Sequence, residues 1–167
     1  MGRIGALGVA LQPHSNLMVN INPSLIPPAF TGEFRHKVEG KGRVTIPAKW
    51  RFEEEVEMFM IGKSAKRCIT VLTRAEVERM KGELREMPAD ERADLLDIFG
   101  RNLRQVTLDK GGRITIPEDF CTQFKISGEV WLTGSVDSFS IWNVADFESN
   151  KAAEEARKAA LMKKLGL

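Results

Sequence analysis

The chain has 167 residues, of which 43% are hydrophobic and 29% charged, and this composition is typical of a soluble globular protein with one ordinary domain or two very small ones. Its net charge of +2 is too small to indicate a nucleic-acid partner by itself, so such a partner has to be inferred from where the charges lie. No apolar run approaches the roughly 18 residues that cross a membrane, which favours a cytoplasmic protein.

The cysteines and histidines give no sign of a metal or redox site. Cys68 and Cys121 form no CxxC pair, and they stand at no familiar metal-ligand spacing from His14 or His36. Isolated cysteines more often pack as small hydrophobic side chains in a reducing compartment. We therefore expect no metal and no cofactor.

Residues 1–30 differ from the rest of the chain, because they hold four prolines and only one charged residue. This composition predicts a mobile or surface-draped N-terminal tail. The same stretch could instead be an extension upstream of the functional start, with Met18 as an internal candidate. The sequence leaves both interpretations open.

From Phe34 onward an internal repeat organises the chain. The stretch EGKGRVTIPAKW at 39–50 returns as DKGGRITIPEDF at 109–120. Further on, EMFMIG and ITVLTRAEV in the first copy match EVWLTG and FSIWNVADF in the second. Each copy predicts four short strands, a Gly-containing turn between the first two, and a short helical turn after the Ile-Pro pair. Trp50 and Phe120 are predicted to point inward as anchors.

Each copy closes with a helix whose start can be read from the sequence. Thr73 followed by Glu76 is a capping-box pattern, and Asn143 with Asp146 occupies the equivalent places. The Ala-, Glu- and Lys-rich C-terminal segment is also predicted to be helical.

A separate helix is predicted between the copies, at Pro88–Arg101, with proline near its start and Gly100 at its end. Three apolar side chains of this helix are expected to face a core: Leu95, Leu96 and Phe99.

The predicted organisation has five parts. They are a tail at 1–30, a first repeat at 31–79, a helical linker at 80–103, a second repeat at 104–148 and a C-terminal helix at 149–167. A repeat of this size cannot bury much core alone. We therefore expect the two copies to pair with each other about a pseudo-twofold axis.

In each copy an acid stands four residues before an arginine, as Glu39 before Arg43 and Asp109 before Arg113. Four glycines between them allow a close chain reversal: Gly40, Gly42, Gly111 and Gly112. The acid and the arginine could form an ion pair that staples the turn, worth about 0–1 kcal/mol when exposed. Alternatively, the acid orients the guanidinium toward an outside anion such as a phosphate or a guanine edge.

The surrounding charge favours an outside anion for the first copy. Six basic residues accompany a single acid, Glu39, over 35–51. They are Arg35, Lys37, Lys41, Arg43, Lys49 and Arg51. A basic strand–turn–strand is a shape with which β-ribbon proteins read DNA, although a solvated charged face would look the same. His36 lies within this basic segment, so a base contact or a strand-surface role is expected for it and not acid–base chemistry.

The charge of the second copy is more balanced, because Lys110 and Arg113 face three acids there.

The sequence contains neither a Walker phosphate loop nor a GxSxG elbow. With no catalytic residues to nominate, we do not expect an enzyme.

The doubled [D/E]-x-x-x-R-x-x-I-P pattern, opened by FTGEFRHKVEGKGRVTIPAKWR at 30–51, strongly resembles the MraZ proteins, which carry two tandem SpoVT-AbrB domains. The resemblance runs from Phe30 to the C-terminus. It implies an α+β, mainly β fold: two tandem AbrB-like swapped-hairpin β-barrel repeats with added helices. The tail at 1–30 has no counterpart in the family pattern.

The resemblance also implies a function. It suggests a cytoplasmic, nucleoid-associated transcriptional regulator that forms ring-like homo-oligomers. Such a regulator binds G-containing direct repeats of double-stranded DNA in the promoter of the division and cell-wall gene cluster and represses from there. The alternative is an antitoxin-like protein-interaction module that uses exposed apolar helix faces.

Carried over by position, Arg43 and Arg113 are the DNA-contacting arginines. The residues around the two turns add further candidate DNA contacts: Lys41, Lys110, Arg35, Lys37 and His36. Glu39 and Asp109 would orient the two arginines. Glu39 departs from the family's Asp by one methylene, which changes the geometry available to the first ion pair.

Overall fold

The computed structural model describes residues 29–52 and 56–167, and the predicted tail up to residue 28 lies outside them. In these two ranges the chain forms eight strands and four α-helices. The strands are β1 (Glu33–Glu39), β2 (Arg43–Thr45), β3 (Glu57–Lys63), β4 (Cys68–Thr73), β5 (Arg104–Thr107), β6 (Arg113–Thr115), β7 (Glu129–Gly134) and β8 (Ser138–Asn143). The helices are α1 (Arg74–Leu84), α2 (Ala89–Asn102), α3 (Glu118–Gln123) and α4 (Val144–Lys163).

The two copies exchange strands within one antiparallel sheet of order β5-β3-β4-β8-β7-β1-β2-β6. Strand β1 of the first copy pairs with β7 of the second, and β5 of the second copy pairs with β3 of the first. The amide of Asp109 donates to the carbonyl of Arg113 at 2.8 Å, which draws the two ends of the strand order together. The predicted swapped-hairpin, barrel-like and mainly β fold is confirmed.

The pseudo-twofold axis lies where a strand meets its own equivalent. Val44 of β2 pairs with Ile114 of β6, and Thr70 of β4 pairs with Ser140 of β8. Both are equivalent positions of the repeat. An axis through these two pairs relates the copies, as the duplicated sequence predicts.

A single main hydrophobic core is built from both copies. Its predicted anchors are in place, since Trp50 is 0% exposed and Phe120 is 4% exposed. The indole of Trp50 donates to the carbonyl of Thr31 at 3.1 Å and meets the ring of Phe34 edge to face. Burying one such large apolar side chain stabilises the fold by about 1.5–3 kcal/mol.

The predicted helix starts are confirmed. The hydroxyl of Thr73 accepts from the amide of Glu76 at 3.1 Å, and the side-chain oxygen of Asn143 accepts from the amide of Asp146 at 2.8 Å. Helix α4 then packs Phe147 on the sheet. None of the helices in the described ranges is long and apolar enough to cross a lipid bilayer.

Helix α2 forms where the sequence predicts it, but the expectation that its apolar side chains face a core is wrong. Leu95 and Leu96 are 38% and 40% exposed, and Ile98 is 51% exposed. None of the α2 side chains belongs to the buried core of the described residues, and the apolar side chains of this helix face α1. A groove of about 200 Å³ lies there, lined in part by Leu84, Leu95 and Phe99.

Strand β1 alternates between two faces, as a strand must. Arg35, Lys37 and Glu39 are exposed, whereas the residues between them are partly covered. His36 is one of these. Burial, together with the charge of Arg51, holds the pKa of His36 below its ordinary value of 6.5.

The two hairpin turns use their glycines unequally. Gly42 and Gly112 have φ of +76° and +74°, a region that favours glycine. Gly40 and Gly111 do not adopt it, and in the first turn Lys41 does, at φ 62°. The two turns therefore have different backbones despite their matched sequences.

We expect Gly112→Ala to lower the free energy of unfolding by about 1–3 kcal/mol, as measured by urea denaturation. One cause is the positive φ at this position. The other is that an added Cβ would lie 2.4 Å from the guanidinium carbon of Arg51. The Arg51 side chain cannot easily move away, because its Nε donates to the carbonyl of Ile46 at 2.7 Å. Gly40→Ala is the control, because no heavy atom lies within 4 Å of its added Cβ. Equal losses in the two variants would contradict this account.

Acidification should destabilise the fold through His36. Because its pKa is lower in the folded state, the unfolded chain binds the proton more readily, and stability falls as pH drops below about 6.5. The melting temperature should fall between about pH 7.5 and pH 5.5, and less so for His36→Gln. Identical pH profiles for the two proteins would show that His36 is not responsible.

Candidate nucleic-acid interface

The two turns that carry the acid–arginine motif lie side by side. Their closing strands β2 and β6 pair directly, with Thr45 opposite Arg113. Beyond the strands, the amide of Ile46 donates to the carbonyl of Gly112 at 2.8 Å, and the amide of Ile116 donates to that of Gly42 at 2.9 Å. Stretches far apart in sequence therefore form one continuous surface.

In the second turn, Asp109 closes its own hairpin. One carboxylate oxygen accepts from the amides of Gly111 and Arg113 at 2.8 and 2.9 Å. The other accepts from Nε of Arg113 at 3.0 Å. The amide of Arg113, followed by its guanidinium, holds the pKa of Asp109 below its usual range, and Asp109 in turn raises the pKa of Arg113.

The first turn differs from the expectation that Glu39 orients Arg43. The carboxylate of Glu39 lies 3.4 Å from Nη1 of Arg113, in the other copy. Glutamate is one methylene longer than aspartate, and the side chain reaches across β2 to the neighbouring turn. Arg113 consequently contacts two carboxylates, one from each copy.

Arg43 is exposed, and its side chain has no hydrogen bond or ion pair among the described residues. It sits opposite Glu39 in the β1–β2 pair and opposite Thr115 in the β2–β6 pair. Side chains directly opposite each other in an antiparallel pair lie on the same face. The guanidinium of Arg43 is thus displayed on the outer face of the sheet.

The other predicted contact residues divide into two groups. Lys37, Lys41 and Lys110 are exposed like Arg43, and Lys37 shares the outer face of β1 with Arg35. Arg35 is paired, because its guanidinium lies 2.7 Å from Glu129. His36 lies on the opposite face of β1 from its two basic neighbours, so the structure does not bring it together with them.

Two basic residues of the first copy have other contacts. The ammonium of Lys49 lies 4.7 Å from the ring centre of Phe34. Arg51 packs against Gly112 and donates to the carbonyl of Ile46. Sequence reasoning missed this role of Arg51, because it depends on strand exchange and leaves no local signal.

A groove of about 650 Å³ opens beside the first turn. Its walls include Val38, Ile116 and Cys121. Cys121 is at the repeat position equivalent to Arg51, which fills the matching space beside Gly112. Burial, with the nearby charges of Glu118 and Asp119, raises the pKa of the Cys121 thiol.

Within the described ranges, no cluster of three or more His, Cys, Asp or Glu side chains could hold a metal ion. The surface instead offers cations on two paired β-turns, and these suit contact with a polyanion.

Comparison with known proteins agrees with the duplicated architecture. A family model described as "MraZ protein, putative antitoxin-like" matches residues 29–97 and again residues 99–165. The first match thus extends through most of α2, and the second extends to α4.

Individual relatives cover most of the chain. A protein of Acetivibrio thermocellus named transcriptional regulator MraZ is 29% identical over 141 residues, which are 83% of this chain and 97% of the relative. The protein of the same name from Caldicellulosiruptor saccharolyticus is 31% identical over 142 residues, covering 81% of this chain and 98% of the relative. These relatives are named as transcription regulators and not as enzymes. With both repeats matched and the exchanged-strand barrel in place, the chain belongs to the MraZ family.

Proposed function

We propose that this protein regulates transcription by binding double-stranded DNA through its paired turns. The observation that carries the proposal is Arg43, an exposed arginine that has no partner among the described residues. Beside it stand the exposed cations Lys37 and Lys41. The names of the relatives support the regulatory role.

The chemistry of each cation suggests a division of labour. Arginine presents a planar fork that binds the O6 and N7 atoms of guanine or a phosphate with two hydrogen bonds. Lysine acts as a point charge toward phosphate. Arg43 is therefore the proposed base reader, and Lys37, Lys41 and Lys110 are the proposed phosphate contacts.

The family resemblance supplies the finer part of the proposal. The protein represses from G-containing direct repeats in the promoter of the division and cell-wall gene cluster, and it works in the cytoplasm at the nucleoid. It assembles into a ring-like homo-oligomer, because several identical turns on one face bind tandem repeats more tightly than one turn can. The units that do this are the repeats proposed at 31–79 and 104–148.

Arg43→Ala should weaken binding to the direct repeats by about 5- to 150-fold, the range expected when one bidentate base contact worth about 1–3 kcal/mol is lost. Fluorescence anisotropy at fixed salt, with DNA from upstream of the protein's own gene and a shuffled duplex, measures the loss. Lys151→Ala is the control, since this lysine pairs with Glu33 at 2.7 Å, away from the turns. Binding of the wild-type protein should also fall steeply with salt.

Equal affinity of the Arg43→Ala and wild-type proteins would refute the assignment of the turns. If neither DNA is bound and a protein partner co-purifies at fixed stoichiometry, the antitoxin-like alternative is correct. The family description and the exposed apolar face of α2 are the observations that favour that alternative.

Self-association should depend on α2. Exposed, clustered apolar side chains on one helix face are typical of a protein interface, and Ile98 is 51% exposed. Ile98→Glu should convert the assembly to smaller species, as measured by light scattering after size-exclusion chromatography. Val136→Glu is the matched control, because Val136 is 59% exposed in the β7–β8 turn. A wild-type monomer, or an unchanged assembly in Ile98→Glu, would contradict the proposed contact.

A further inference from the structure

We propose that Glu39 is a positioning residue that withholds Arg113 from DNA, so that one chain presents a single reading arginine, Arg43. This inference rests on the proposed DNA binding and deepens it. It assigns different roles to two arginines that occupy equivalent places in the repeat.

The contacts of the Arg113 guanidinium support this division. Asp109 binds its Nε at 3.0 Å, and Glu39 lies 3.4 Å from its Nη1. Nε belongs to the side edge of the guanidinium fork and Nη1 to its end edge. These are the two edges from which a guanidinium makes paired hydrogen bonds to a base or phosphate. A carboxylate stands at each edge, so DNA would have to displace one of them.

Local charge points the same way. Around Arg113 there are two carboxylates for one guanidinium, and its side chain is 33% exposed. The backbone amides of Gly111 and Arg113 further stabilise Asp109 in its charged form. A phosphate approaching the Arg113 guanidinium therefore meets two carboxylates, and the exposed Lys110 of the same turn offsets only one of them. One approaching Arg43 meets a cation that has no partner among the described residues, with Lys41 at the tip of the same turn.

The asymmetry has a structural origin in the first turn. Asp109 is short enough to accept from the amides of its own turn. Glu39 makes no such contact within the described residues; it extends over β2 to Arg113. The first turn also has a different backbone, with Lys41 at φ 62°. Asp109 thus pairs with the arginine of its own turn, whereas Glu39 pairs with the arginine of the other copy.

A double-mutant cycle on DNA binding tests the proposal. Affinities are measured for wild type, Glu39→Gln, Arg113→Ala and the double variant, on the direct-repeat DNA at several salt concentrations. Glu39→Gln should tighten binding by about two- to tenfold, because a repulsive rim charge is gone. Arg113→Ala alone should lower the DNA affinity by less than about threefold. In the Glu39→Gln background, where the arginine can reach DNA, the same substitution should lower the affinity by at least about fivefold.

The salt dependence provides a second reading. A released Arg113 that contacts phosphate should steepen the slope of log affinity against log salt by about 0.9 in Glu39→Gln. Glu33→Gln is the matched control, because it removes the same charge from the same face of β1 while leaving Arg113 untouched. That control should show no coupling to Arg113→Ala.

The sign of the coupling decides the outcome. If Glu39→Gln weakens binding, or if Arg113→Ala costs the same with and without Glu39, then Glu39 does not withhold the arginine and the proposal is overturned. Strong binding that depends on Arg43 but shows no coupling overturns this inference alone. No DNA binding by the wild-type protein overturns the proposed function together with it.

Discussion

Strand β2 pairs with its own equivalent, β6, and the rest of the molecule depends on that pairing. Each of these strands is three residues long, too short to be stable as an isolated hairpin. Their central residues, Val44 and Ile114, are fully buried against each other's copy. The two copies share one main hydrophobic core. The burial of apolar side chains that stabilises one copy therefore also fixes the position of the other.

This shared core has a direct consequence for the surface. Buried positions alternate with outward positions along a strand, so packing Val44 and Ile114 inward also turns Arg43 and Arg113 outward. The two arginines are held at a distance set by the β2–β6 ladder and not by flexible loops. With the spacing fixed in this way, one extra methylene in Glu39 is enough for its carboxylate to reach Arg113 in the other copy.

Duplication within one chain also allows the copies to diverge, which a symmetric pair of identical chains cannot do. Arg51 and Cys121 illustrate this, since they hold equivalent places with different results. Arg51 covers Gly112 and donates to the carbonyl of Ile46, whereas Cys121 lines an open groove beside the first turn. The two ends of the pseudo-twofold surface therefore differ in shape as well as in charge.

Local features of this protein could be predicted from sequence, and features that depend on the exchange of strands could not. The helix caps Thr73 and Asn143 could be predicted because each bonds to the residue three positions further on. The burial of Trp50 could be predicted from its position in the repeat. The partner of Glu39, in contrast, is 74 residues away, and nothing in the spacing of Glu39 and Arg43 indicates it. The spacing of apolar residues in α2 correctly predicted an apolar face. It did not indicate whether that face packs against the core or stays exposed.

The number of arginines that can reach DNA sets how tightly the proposed surface can bind it. A single bidentate base contact is worth about 1–3 kcal/mol, whereas specific DNA binding with a dissociation constant near 10⁻⁸ M requires about 11 kcal/mol. Phosphate contacts from a few lysines add affinity without sequence information. On the proposed function, one chain with Arg43 as its reading arginine would therefore be a weak and poorly selective binder. On the same proposal, selectivity comes from several chains acting on adjacent sites, and the exposed apolar face of α2 is the surface in the described ranges that we propose joins them.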